Sequence, residues 1–173
     1  YMATLWGINL LKNNKIEKLI ITRPNVAVDD KDIGYLPGTL ESKMAPWMLP
    51  IFDIIEEYYT TQQIKQMIDE KIIEICPIAY IRGRSLNNSF IIVDEAQNTT
   101  SNSMKSILTR IGENSRMVVT GDVKQSDHGN NNGLTDFLQR YKKCDSIDVI
   151  KFSKNHVERS EVVKDVLKLY GEE

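Results

Sequence analysis

The chain has little of what would mark several protein classes. It has only two cysteines, Cys76 and Cys144, in 173 residues, and they fit no metal or redox spacing. A disulfide-stapled secreted scaffold is excluded, and a reduced, cytoplasmic setting is expected. No apolar run approaches membrane-spanning length and no secretory signal is visible, so no membrane partner is expected. There is no excess of positive charge: 22 Lys and Arg stand against 24 Asp and Glu, for a net charge of −2. That excludes a global polycation, but not a local basic patch. Internal repeats and low-complexity segments are absent. The remaining composition, 41% hydrophobic and 27% charged, is ordinary for one globular domain with a real core.

Against these absences stands one dense stretch, Ser89-Phe90-Ile91-Ile92-Val93-Asp94-Glu95-Ala96-Gln97-Asn98. Four uninterrupted apolar residues, Phe90 to Val93, are too few for a helix and rich in β-branching, so they predict a strand buried on both faces. In an open parallel sheet, ligands bind at the carboxyl ends of the strands, where Asp94 and Glu95 fall. Phosphoryl-transfer sites need such a pair: one carboxylate holds Mg²⁺, usually through water, and the next polarises the attacking water. The bland alternative is an acidic helix cap after the strand. The flanking stretch from 81 to 125 holds Arg82, Arg84, Lys105, Arg110, Arg116 and Lys124 against Asp94, Glu95, Glu113 and Asp122. This local basic balance suits an anionic ligand.

Around this centre the pattern alternates. Tyr1 to Leu11 has the pattern of a well-buried helix already under way, with no cap before it. Leu19-Ile20-Ile21-Thr22 predicts a strand that Arg23-Pro24 stops. Gly34-Tyr35-Leu36-Pro37-Gly38 predicts a loop that packs on a neighbouring subunit or on its own domain. Pro46 is expected at a helix first turn, with the regular helix starting at Pro50 and an apolar stripe of Ile51, Ile54, Ile55 and Tyr58. Thr61 is expected to cap a second helix with the stripe Ile64, Met67 and Ile68. Residues 53–74 carry six acids and two lysines, a solvated face. This helical pair, 46–71, reads as an insertion. Ile73 to Pro77 predicts a short strand, with Pro77 favouring an edge or end. Arg82-Gly83-Arg84 could clamp phosphate or RNA backbone, or pair with surface acids.

Beyond the central strand, Asn98 or Thr99 is expected to cap a helix through Arg110, ended by Gly112. Met117-Val118-Val119-Thr120 predicts another buried strand, delivering Gly121-Asp122 and Gln125 to the same sheet edge as Asp94. Such a glutamine can sense a γ-phosphate or act only as a turn residue. Gly133 precedes a helix over Leu134, Phe137, Leu138 and Tyr141. Ile147 to Phe152 predicts a last strand, and 157–170 a closing amphipathic helix with Val163, Val166, Leu167 and Tyr170 facing in. Arg159 at its start is disfavoured by the helix dipole and asks for an anionic partner, in a neighbouring subunit's site or at Glu158 or Glu161. About five strands alternating with helices imply a three-layer α/β domain with a mainly parallel sheet.

Several of these blocks together resemble the PhoH family of P-loop ATPases, related to superfamily-one helicases. They are Phe90 to Asn98 with Thr99-Thr100, Met104 to Gly112, and Met117 to Asp122 with Gln125. Thr22-Arg23-Pro24, Gly34 to Gly38, Tyr80 to Leu86, Gly133-Leu134 and His156-Val157-Glu158-Arg159 follow in family order. The resemblance covers essentially the whole of 1–173 and implies a RecA-like, superfamily-one-helicase-like P-loop NTPase domain. The family's Gly-rich phosphate loop, G-x-x-x-x-G-K-[ST], is missing from the sequence. The expectation is a single domain lacking its N-terminal Walker A segment, with Tyr1 falling about where that loop should end.

The resemblance implies ATP and Mg²⁺ as cofactors. It makes Asp94 the Mg²⁺ ligand through water and Glu95 the catalytic base. It gives Gln97 a part in positioning water or coupling to a strand, and Asp122 and Gln125 the sensing of γ-phosphate. Arg23 would couple the site to substrate, Arg159 would be an arginine finger acting in trans, and Arg84 would face nucleic acid, nucleotide or a subunit interface, as would Arg82. It also implies a hexameric ring, single-stranded RNA as a partner and a link to phosphate starvation. Two rivals remain from the residues: a non-catalytic assembly module, which the missing loop allows, and a metal-dependent nuclease using Asp94, Glu95 and Asp122. The nuclease needs further metal ligands, which neither His128 nor His156 clearly supplies.

Overall fold

A computed structural model of the chain describes residues 1–24, 40–123, 125, 126, 132–153 and 160–171. The chain divides into two compact units, Tyr1–Arg140 and Tyr141–Glu173.

The first unit is a parallel sheet between two helical layers. Strands β1 (Lys18–Arg23), β2 (Ile73–Pro77), β3 (Ser89–Val93) and β4 (Arg116–Val119) lie in the order β2-β1-β3-β4. All three pairings are parallel. The mainly parallel α/β architecture is the one expected. β3 is buried at every position, as its unbroken apolar run requires.

Strand residues alternate between the faces. Leu19, Ile21, Phe90 and Ile92 meet α1 (Met2–Lys12), α2 (Leu40–Glu56) and α3 (Thr61–Asp69) in one core. Ile20, Ile91 and Val93 meet α4 (Ser101–Leu108) and α5 (Gly133–Arg140) in the other. Helix α1 lies so close to the sheet that a Cβ on Gly7 would stand 2.8 Å from Leu19 and 2.9 Å from Phe90.

The connection after β1 runs to β2 on one side, and the connection after β3 runs to β4 on the other. The ends of β1 and β3 are therefore the point where the winding reverses. A crevice opens at such a point in doubly wound sheets.

Several local expectations are corrected. Helix α2 begins at Leu40 and runs through Pro46 and Pro50. An interior proline costs a helix about 3 kcal/mol, and burial of Met48, Ile54 and Ile55 on the sheet opposes that cost. The cap of α3 is Thr60, not Thr61, because Gln63 stands three residues on and completes a capping box. The helix after the central strand is capped by Thr100, and a short 3₁₀ turn, Ala96–Asn98, comes first. Helix α1 buries only the face of Thr4, Gly7 and Ile8, leaving Met2 and Trp6 exposed. Strand β4 is half-buried rather than buried, since no described strand covers its outer edge. Pro77 closes β2 at the other edge, where a missing N–H is tolerated.

In the second unit, Ile147 to Phe152 is not a strand. It holds one antiparallel bridge, Cys144 to Ile147, and Ile150 and Phe152 are exposed. A strand needs a neighbour's edge, and no described residue offers one there. Helix α6 (Glu161–Leu169) keeps its amphipathic pattern, but Val163, Val166 and Tyr170 are exposed rather than facing in. A segment this short holds too little apolar chain to cover such a stripe itself. The loop Gly34 to Gly38 lies outside the described residues.

Candidate functional site

Three strand ends lie side by side at the carboxyl edge of the sheet. Arg23 closes β1, Asp94 and Glu95 follow β3, and Thr120 to Asp122 follow β4. The parallel ladder continues one step past the strands and fixes the acids' backbone. Asp94 N–H donates to Thr22 O at 2.9 Å, Thr120 N–H to Val93 O at 2.9 Å, and Ala96 N–H to Thr120 O at 2.9 Å. The acidic pair is thus stitched to both neighbouring strands.

Glu95 then turns left-handed, at φ 52° and ψ 38°. That conformation costs an L-residue roughly 1–2 kcal/mol. It is held by contacts to both carboxylate oxygens: Arg23 Nη2 lies 3.1 Å from Oε1, and Gln97 Nε2 donates to Oε2 at 2.6 Å. The side chains of Arg23 and Glu95 are 22% and 34% exposed, so the pair is open to solvent and adds little net stability. Its use is orientation.

Gln97 is 1% exposed. While Nε2 holds Glu95, its Oε1 accepts from Asp122 N–H at 3.2 Å, and its backbone carbonyl accepts from Ser126 Oγ at 3.0 Å. One buried carboxamide therefore joins the β3 acids to the β4 loop. Asp94 is tied separately: Thr120 Oγ1 donates to its Oδ1 at 2.7 Å.

Residues 1–171 match the family model described as PhoH-like protein. The chain belongs to the PhoH family. It is 37% identical over 175 residues to a PhoH-like protein of Bacillus subtilis, covering 100% of this chain and 54% of that protein. It is 37% identical over 174 residues to a PhoH-like protein of Mycobacterium leprae, covering 99% and 50%. It is 36% identical over 165 residues to Protein PhoH of Escherichia coli K12, covering 93% and 46%. The chain spans about half the length of the curated relatives it matches. The PhoH domain is of the P-loop NTPase class, and the parallel sheet with acids at its carboxyl edge is consistent with it.

The fold brings Arg23, Asp94, Glu95, Gln97 and Asp122 of this PhoH domain together. Gln125 follows in the β4 turn, exposed, its N–H donating to Asp122 O at 3.0 Å. Arg159 lies outside the described residues. Arg84 is elsewhere: its guanidinium pairs in a fork with Glu74, Nη1 to Oε1 and Nη2 to Oε2 at 2.8 Å. Glu74 stands three positions before Pro77 on β2, about 10 Å down the sheet from the carboxyl edge. The Arg84 hydrogen bond is the main cause that holds the Glu74 carboxyl below its usual range. Beside them, burial pushes the Cys76 thiol up to about 12, so it is inert at neutral pH. Arg82 is exposed and donates to Ser103 Oγ at 3.2 Å.

Thr120 and Ser126 belong to the site although the sequence did not single them out, and Gly121 joins them at the edge where it was expected. Thr120 and Gly121 sit inside the β4 motif next to Asp122, and that adjacency was the available signal. A Cβ on Gly121 would stand 2.6 Å from Gln97 Oε1, so the position is bare because the carboxamide fills it.

The donors at this edge fit Mg²⁺. Asp94 offers Oδ2, which makes no hydrogen bond to described residues. Among the described residues no three His, Cys, Asp or Glu side chains gather as a metal cluster. Mg²⁺ held by one carboxylate, phosphate oxygens and water needs no such cage. No helix among the described residues is long and apolar enough to cross a membrane.

Proposed function

We propose that this chain is the catalytic part of a Mg²⁺-dependent ATPase, a helicase-like motor that acts on single-stranded RNA as a hexameric ring in the cytoplasm. Support comes from one observation: two adjacent carboxylates at the sheet's reversal point, each held by its own donors. An acidic helix cap would be braced by its own helix's first N–H groups, whereas here the donors are side chains of Arg23, Gln97 and Thr120.

In this mechanism Asp94 would hold Mg²⁺ through water. The ion, when bound, neutralises charge on the phosphate oxygens. Glu95 is the base that takes a proton from the attacking water, and its two donors fix the direction from which it does so. Gln97 carries the position of the β4 loop to Glu95, so a phosphate met by Asp122 or Gln125 is felt at the base. Arg23 ties the base to the end of β1, from which substrate contact can reach it. Arg159 is proposed as a finger for a neighbouring subunit's site, a part that contributes about 10³-fold or more in rate in comparable enzymes.

Because the 173 residues hold no Gly-rich phosphate loop, the test uses the full-length protein. ATP hydrolysis is measured with and without Mg²⁺ and single-stranded RNA, beside Glu95→Gln. Mg²⁺-dependent turnover that collapses in the variant and rises with RNA is expected. A folded full-length protein that neither binds nor hydrolyses ATP would replace this function with a non-catalytic assembly module.

A further inference from the structure

We propose that Thr120 is a positioning residue for Asp94: its hydroxyl sets the direction in which that carboxylate presents its metal-facing oxygen. This rests on the function proposed above and extends it to a residue outside the acidic pair.

The geometry leaves the hydroxyl one task. A threonine hydroxyl has a single proton to donate. Two acceptors lie near Thr120 Oγ1: Asp94 Oδ1 at 2.7 Å and Val93 O at 3.5 Å. The second is at the limit of a hydrogen bond, and Val93 O already accepts from Thr120 N–H at 2.9 Å. The proton therefore goes to Asp94, in a short charge-assisted bond.

The donor is itself anchored by its backbone. The Thr120 backbone is bonded on both sides, to Val93 O and from Ala96 N–H, each at 2.9 Å. Its β-branch restricts χ1. Asp94 has no other side-chain hydrogen bond to described residues, so without the hydroxyl its carboxylate is free to turn. With it, Oδ1 is engaged and Oδ2 is left for a metal or its water.

The arrangement has a second consequence. Thr120 leads directly into Gly121 and Asp122, and the Asp122 N–H is held by Gln97, which in turn holds Glu95. The end of β4 thus addresses both carboxylates, Asp94 through a hydroxyl and Glu95 through a carboxamide. A displacement of that strand end would reorient the metal ligand and the base together.

The test compares full-length wild type, Thr120→Val and Thr120→Ser. The Val variant keeps shape and loses the donor, and the Ser variant keeps the donor. Mn²⁺ binding in the presence of ADP is read by electron paramagnetic resonance, and the Mg²⁺ dependence of ATP hydrolysis is read alongside. The expected result is Mn²⁺ affinity weakened roughly tenfold in Thr120→Val, the usual scale for losing a metal ligand's supporting hydrogen bond. The Mg²⁺ concentration for half-maximal rate should rise with it, while Thr120→Ser stays near wild type. A purely structural role would affect melting temperature without changing the metal dependence. Wild-type Mn²⁺ affinity in Thr120→Val, or equal losses in the Val and Ser variants, overturns the assignment and leaves the ATPase intact. A folded wild type that binds no Mn²⁺ with ADP overturns both.

Discussion

Gly121→Ala tests the buried bridge at Gln97 with the smallest possible perturbation. Gly121 is exposed and its φ lies outside the left-handed range, so the backbone accepts an alanine without strain. The cost is steric. The new Cβ would stand 2.6 Å from Gln97 Oε1, 2.8 Å from Leu134 Cδ2 and 3.2 Å from Ala96 N. Leu134 is a flexible side-chain end and can yield. To reach the 3.4 Å of ordinary contact, Gln97 Oε1 must retreat by about 0.8 Å. Its bond to Asp122 N–H is already 3.2 Å long, so a retreat of that size breaks it. The carboxamide is rigid, so Nε2 is also drawn off Glu95 Oε2. Gln97 is 1% exposed and finds no water to replace these partners. A buried polar atom left unpaired costs about 1–3 kcal/mol. For a domain of this size that is a fall of roughly 2–10 °C in melting temperature. Thermal unfolding measures it, and ATP turnover by the full-length protein should fall alongside because Glu95 loses one of its two donors. The same substitution on a Gln97→Ala background should cost much less, since the clashing atom is gone. Equal losses on both backgrounds, or no loss on either, would refute the bridge.

Two further outcomes follow from the same contacts. Thr22 is 0% exposed and its hydroxyl has no partner among the described residues, so Thr22→Val should be neutral or stabilising by up to about 1–2 kcal/mol; a denaturant midpoint that drops instead would show that the hydroxyl has a bond. Arg84→Gln should spare ATP turnover yet weaken folding. The Glu74 carboxyl is held below its ordinary 4.5 mainly by the Arg84 hydrogen bond. A depressed folded pKa gives stability that is present above the unfolded value and lost as pH falls through the folded one. The gap between wild type and Arg84→Gln should therefore be widest near neutrality and close below about pH 4.5. A gap that stays constant with pH, or a collapse of turnover, contradicts a structural pair.

Much of the site is legible in the sequence because its signals are local. Phe90 to Val93 is apolar without a break, as a central parallel strand buried on both faces requires. Strand polarity then puts Asp94 and Glu95 at the carboxyl edge, and the same logic applied to Met117 to Val119 brings Asp122 beside them. The family blocks fall on these same stretches.

The class of fold, the family and the place of the acids are therefore written along the chain, since periodicity and chain direction are properties of neighbouring residues. Which donor holds which carboxylate is set by packing alone. Arg23 reaches Glu95 because β1 lies beside β3, a register that depends on helices and a strand between them. For Arg84 the residues left a phosphate clamp and an acidic partner both open, and it is Glu74 on β2 that it meets. Glu95 turns left-handed where glycine would be expected, because bonds to both of its carboxylate oxygens oppose its local preference. Apolar patterning likewise marks a face for burial without naming its cover. It was met for α2, whose burial carries a helix through two prolines. It was not met for Ile147 to Phe152 or the stripe of α6. A side chain's appetite for a partner is written in its chemistry. Whether a partner stands within about 3 Å is set by the packing of segments far apart in the chain.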